Sequence, residues 1–449
     1  MVAALVVTLI AAATSGILAV RLNRERARND RLSAELSSVQ SELDDLRQRL
    51  SGDATGGVLD GILQAVSRLR GLTILRPVAA QVLTDAELRA RVIADFKRDD
   101  PRAAVERSGK VLTALGLLKP TDDLYTILLN VQAEQVAGFY DPAKKEMVVG
   151  GNAKDPSPLD RVLLAHEYTH ALADEHFGIG RLDQLNMEGK DDAAEAYLSL
   201  LEGDATNLMD VYAREALTPQ QQDQYNVETS SVKTPVFDAA PSVVRQTLTF
   251  PYDAGLKFVQ ALYERGGNAA IDRAYTDPPV STEQILHPEK YMNQRDLPTA
   301  VGVPDIVAPL GSGWSALDDG GIGELDVRVI LDQYLSQNDA FDAASGWDGG
   351  HYRAAEGPGG VVVAGLTAWD SASAAENAEA AFDEWLPLRY GQRGSDQRLP
   401  GFTGQMFQGP SGAGEVVRSG SRLLFVVCEH LADCETARKA FGTFGATTV

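Results

Sequence analysis

Basic residues are scarce in this chain of 449 residues. Its 41 Lys and Arg stand against 63 Asp and Glu, a formal net charge of -22. The acids are spread along the length rather than gathered in a tail, and such a surface repels phosphate backbones, which argues against nucleic acid as a partner. There is no phosphate-binding loop, internal repeat or low-complexity tract. Cysteine is reduced to Cys428 and Cys434, which lie too far apart for a CxxC redox or metal motif. Six positions apart at a strand-to-helix junction, they leave two readings open: a local disulfide, which would imply an oxidising compartment, or two free thiols. Only six histidines are present. What remains is globular composition, 44% hydrophobic and 23% charged, in a chain long enough for two or three domains.

The one long apolar run lies at the start. Residues 2–20, VAALVVTLIAAATSGILAV, carry no charge and are long enough to cross a bilayer as a helix. No basic segment precedes them, so they read as an uncleaved anchor (residues 1–20) rather than a signal peptide. Arg21, Arg24, Arg26, Arg28 and Arg31 follow; the positive-inside rule would hold that flank in the cytoplasm, whereas a disulfide would place the bulk of the chain outside. The expectation adopted is a single-pass anchor with the bulk of the chain extracytoplasmic. Within residues 21–50, Leu32, Leu36, Val39, Leu43, Leu46 and Leu50 alternate four and three apart. That is a heptad seam of about three repeats, read as a stalk able to form a homodimeric coiled coil. SGDATGG at 51–57 then breaks the helix.

The body from 58 to about 133 reads as helical, with Thr84 and Glu87 as a capping box and Pro120 closing a later helix. VAGFYDPAKKEMVVGG alternates on both sides of an Asp-Pro turn and predicts a hairpin. Ser157, Pro158 and Asp160 then mark a helix start. That helix carries HEYTH: His166 and His170 stand four apart, about 40° around the axis and one turn along it, so both imidazoles can reach one ion. Glu167, about 100° from His166, can contact water beside that ion. Composition alone would place HExxH in such a chain roughly once in 200. Asp174, one turn after His170, is expected to accept the free imidazole N–H. A later helix, DDAAEAYLSLLEGDATNLMDVYAREAL, offers a third carboxylate, as a tetrahedral zinc with one open position requires.

HEYTH followed by EGDA resembles the gluzincin branch of the zincin metallopeptidases. The resemblance implies a zincin-like domain over residues 58–300 and a Zn2+ ion held by His166, His170 and Glu202. It also implies Glu167 as general base and a protein or peptide substrate. The spacer of 31 residues between His170 and Glu202 exceeds the family's usual one of about twenty. Glu195, on the same face seven positions earlier, is therefore the rival ligand; Gly203 and Ala205 favour Glu202 by allowing close approach to the motif helix. The phrases GFYDP, HEYTHAL, EGDAT, PYDAG and STEQILHPEKY also resemble bacterial envelope-associated proteins over residues 65–295. For the donor that steadies an oxyanion, His287 is preferred over Tyr252 and Tyr291. His176, His351 and His430 have no supporting spacing. Residues 301–449 read as a small accessory domain of β-α-β-β-α order, with SGWDGGHY (345–352) as a loop. The fold expected is α+β.

Overall fold

A computed structural model describes residues 54–134, 138–151, 153–390 and 403–442. The anchor at 1–20 and the heptad seam at 32–50 lie outside the described residues. Among those described, no helix is long and apolar enough to cross a membrane. The architecture is mixed α+β: a helical body with a small sheet, followed by a six-stranded antiparallel sheet.

The body opens with α1 (Ala54–Arg70), β1 (Ala79–Val82), α2 (Asp85–Asp99), α3 (Arg102–Ala114) and α4 (Leu124–Glu134). The capping box forms at α2: Thr84 accepts the Glu87 N–H, and Glu87 accepts the Thr84 N–H. Pro120 is not what ends α3. Gly116, at φ 79°, enters the left-handed region and stops the helix before the proline is reached. The hairpin forms as β2 (Gly138–Asp141) and β3 (Glu146–Val149), its turn held by Asp141 accepting the Ala143 and Lys144 N–H groups. β1 joins β3 in parallel, leaving β2 at the edge. A four-residue strand paired with a segment some 60 residues away leaves no local pattern to read.

Three helices form the centre: α5 (Pro158–Phe177), α6 (Asp191–Glu215) and α7 (Ser242–Gly266). Gly203 of α6 does not face the motif helix α5, as its position had suggested; it faces Gly255 of α7. A Cβ on Gly203 would overlap the Gly255 carbonyl, and one on Gly255 the Ser199 carbonyl. The missing side chains let the two backbones touch. Gly255→Ala is therefore expected to cost about 1–3 kcal/mol through overpacking, read as a lower denaturant midpoint at unchanged m-value. An unchanged midpoint would show that α7 can withdraw freely.

The second unit comprises β4 (Ser315–Gly321), α8 (Glu324–Asp332), β5 (Trp347–Gly357), β6 (Gly360–Trp369), α9 (Ala372–Tyr390), β7 (Thr403–Gly409), β8 (Gly412–Ser419), β9 (Arg422–Cys428) and α10 (Leu431–Ala440), with sheet order β4-β5-β6-β9-β8-β7. Six strands replace the three expected. The segment containing Trp347 and His351 is a strand, not a loop. Gly349 and Gly350 of this segment admit the backbones of Thr299 and Ile322 against β5. Trp347 is buried in a core with Phe382, Trp385 and Phe425. On the opposite face Cys428 and Cys434 are joined in a disulfide that ties α10 to β9. The two units share packing: Val111 of α3 and Leu115 just after it enter the sheet core, and Leu325 and Val329 of α8 enter the helical one.

Four carboxyls gather where the start of α6 meets β4 and α8. Burial is the main cause that pushes Asp191 and Asp326 up to about 6, Asp192 to about 7 and Glu195 to about 8. Neighbouring acids add to the rise in Asp191, Asp192 and Glu195. A carboxyl whose folded-state value is raised favours folding while protonated and loses that contribution as pH climbs through the folded-state value. Thermal stability is thus expected to fall from about pH 4, the ordinary carboxyl value, to about pH 8, the highest of the folded-state values. The double variant Asp192→Asn, Glu195→Gln should flatten that slope in a pH series of melting curves. An equally steep slope in the variant would assign it to other groups.

Candidate metal centre

The motif helix is an interior helix. Ser157 and Asp160 close its capping box, and Pro158 supplies the first-turn φ. From Val162 to Asp174 every residue is buried, so the helix is not amphipathic but surrounded. It ends at Gly178, φ 72°, whose N–H reaches the Asp174 carbonyl. His166 is 0% exposed, Glu167 3% and His170 9%. Polar groups so deeply placed require partners.

Glu202 on α6 provides one. Its Oε2 lies 3.0 Å from His166 Nε2 and 3.4 Å from His170 Nε2, and the two imidazole Nε2 atoms are 3.0 Å apart. Among the described residues these three are one of two groups that could hold a metal ion, the other being Glu283, Asp296 and Asp370; the ligand atoms of each lie within 4.8 Å of one another. Glu195 is not among them; it faces Asp192 and Asp326 near the start of α6. Burial alone would raise the Glu202 carboxyl, but His170 and His166 outweigh it and hold the group well below the carboxylate range. Burial likewise opposes charge on His170, yet the adjacent Glu202 pushes it up to about 9.

Glu167 borders both the cluster, whose His166, His170 and Glu202 all act on its charge, and the small sheet. Its carboxylate accepts the Tyr140 N–H of edge strand β2 at 2.9 Å. Burial is the main influence and raises its pKa, making it a stronger proton acceptor than an exposed carboxylate.

Asp174 does not serve His170. It accepts the Tyr140 hydroxyl (2.7 Å), the Lys145 ammonium (2.5 Å) and the Ile179 N–H (3.2 Å). The second imidazole nitrogen of His166 faces the Met209 thioether at 3.2 Å. The hairpin is thereby fastened to α5 at two points, Asp174 and Glu167, which positions the strand edge beside the cluster.

His287 is the main departure from the sequence reading. It sits between the short helices Thr282–Leu286 and Pro288–Met292, and its Nε2 meets Glu324 at 2.9 Å. That segment docks through Thr282 on Asp192, ten positions and about 15 Å of helix before Glu202. The principal charges acting on His287 are Glu324, Glu289 and Lys290. Tyr291 donates to the Asp277 carbonyl. Of the three candidates it is Tyr252 that reaches the cluster: its ring stacks on His166 with centroids 6.1 Å apart, and its hydroxyl donates to Glu202. Burial, then the negative charges of Glu202 and Glu167, keep that hydroxyl protonated far above neutrality. The remaining histidines bind elsewhere, His176 at the Thr73 carbonyl and His351 at Asp319.

Below the cluster lies a support that sequence reading missed. Asp204, 0% exposed, receives Arg70 Nε at 2.8 Å and the Tyr275 hydroxyl at 2.9 Å; Arg70 also pairs with Asp272 at 2.8 Å. The only trace in the sequence is the Asp of EGDA, whose arginine is 134 residues away.

Residues 315–438, the sheet unit, match the family described as a domain of unknown function (DUF8575). No curated protein and no solved structure matches the chain.

Proposed function

We propose that the protein is a zinc-dependent metallopeptidase of the zincin type, anchored in the membrane through its apolar segment at residues 2–20 and acting on proteins or peptides at the cell envelope. The observation that carries this reading is the triangle of His166 Nε2, His170 Nε2 and Glu202 Oε2, with edges of 3.0, 3.0 and 3.4 Å. Ligand atoms around a tetrahedral zinc at about 2.0–2.1 Å lie about 3.3 Å apart, so the donor set fits that ion in size as well as in chemistry. Zinc held there would supply Lewis acidity toward a scissile carbonyl and toward water.

The chain's own residues would do the rest. Glu167, buried and basic, takes a proton from the attacking water and passes it to the leaving amine. Tyr252 brings the protonated donor that His287 was expected to provide, and on turning its hydroxyl from Glu202 it would steady the developing oxyanion. Among the described residues β2 ends the small sheet beside Glu167, and an extended peptide adding there as a strand would take over the Tyr140 N–H from that carboxylate. The Cys428–Cys434 disulfide supports placing the bulk of the chain in an oxidising compartment, outside the cell membrane. The coiled-coil stalk would pair two copies.

Metal content tests the reading. Purified with zinc available, the wild type and Glu195→Ala are expected to hold about one zinc per chain, whereas His166→Ala and Glu202→Ala lose it. Wild type without zinc would sink the proposal, and loss in Glu195→Ala alone would reassign the third ligand.

A further inference from the structure

A cavity of about 170 Å³ lies between the helical body and the six-stranded sheet, away from the histidine cluster. Its walls come from α3, α4, α7, α8 and the sheet, and they are largely apolar: Leu112, Val244, Ile322, Ile330 and Phe425 are representative. At one end two carboxyls enter it, Asp191 from the first turn of α6 and Asp326 from the first turn of α8. Asp191 precedes Glu202 by 11 positions, about 16 Å along α6, so this is a separate place on the same helix.

Both carboxyls have a structural duty that leaves them only partly used. Asp326 accepts the Gly323 N–H through one oxygen at 2.7 Å, and Asp191 accepts the Gly321 N–H at a long 3.4 Å. Asp326 is exposed and Asp191 partly so, which makes their end of the cavity its opening to solvent. No lysine, arginine or histidine among the described residues forms an ion pair with Asp191, Asp192, Glu195 or Asp326, and the charges felt by Asp191 and Glu195 are those of other acids. Carboxylates gathered with no cation beside them raise the local concentration of cations. No three oxygens here approach as a metal would require; the groups that do lie elsewhere.

We infer that this cavity binds a small organic amine, a single ammonium carried on an apolar group about the size of an aromatic ring or a leucyl side chain. The ammonium meets Asp191 and Asp326 while the apolar body fills the space among Leu112, Val244 and Phe425. Size supports the match, since a cavity of about 150 Å³ with comparable walls accommodates benzene. The chemistry also supports it, because an apolar pocket with a few convergent polar groups is the usual form of a small-molecule site. The raised pKa values of Asp191 and Asp326 agree with a site whose negative charge lacks a partner. The inference does not depend on the metal reading.

Titration calorimetry on the full chain tests it, with phenethylamine as the probe and 2-phenylethanol as its uncharged counterpart. The amine is expected to bind saturably with 1:1 stoichiometry, at least tenfold tighter than the alcohol. The double variant Asp191→Asn, Asp326→Asn should weaken the amine at least tenfold and leave the alcohol unchanged. Equal binding of amine and alcohol to wild type, or no saturable binding of the amine, overturns the proposal without recourse to any variant. Undiminished amine binding in a folded double variant overturns it as well.

Discussion

Under the proposed metallopeptidase function, Glu167→Gln is expected to lower peptide hydrolysis by a factor of about 10²–10⁴ while the metal and the fold are kept. The substitution preserves shape, and its amide oxygen can still accept the Tyr140 N–H that the carboxylate now receives. What it removes is the ability to take a proton. Burial raises the basicity of Glu167, and its neighbours His166 and His170 lie on the same buried helix. A residue there that only held β2 in place would tolerate glutamine. The measurement is kcat on a denatured protein substrate, with zinc content determined on the same sample. A variant with more than half the wild-type rate at full zinc occupancy would remove Glu167 from the chemistry.

The largest effect on stability is expected at Arg70. Arg70 is 1% exposed and Asp204 0%, so Arg70→Leu leaves a carboxylate buried with only the Tyr275 hydroxyl for company. Removing one partner of a buried ion pair typically costs about 3–5 kcal/mol. The loss should appear as a lower denaturant midpoint, and it should carry the zinc with it near the transition, because Asp204 stands two positions after Glu202 on α6. Replacing both residues, Arg70→Leu with Asp204→Leu, should recover part of the loss, since no bare carboxylate then remains at that position. A single variant destabilised by less than about 1 kcal/mol would mean that water enters beside Asp204.

Helix starts and the hairpin were legible because they depend on residues three or four apart. Ser157 with Asp160, Thr84 with Glu87, and the Asp141 turn each close a bond within one turn of chain. The pairing of His166 with His170 is local in the same sense, fixed by the pitch of α5. The limits of this reading appear at SGWDGGHY, read as a loop. Its Gly349 and Gly350 mark a strand pressed against another backbone.

By itself, the sequence determined the helix that carries His166, Glu167 and His170, the strand beside it and the mixed α+β class. Only the tertiary structure decided which groups meet them. Glu195 and Glu202 share one face of α6, and no local rule separates them. The choice follows from how α6 is seated among its neighbours, with Gly203 against Gly255 of α7 and Asp204 on Arg70 of α1. The same long-range packing brought Tyr252 to the cluster, drew His287 to Glu324, and gave Asp174 to Tyr140 and Lys145. Contacts within a turn are set by backbone geometry; contacts between helices are set by which side chains the whole core can pack together.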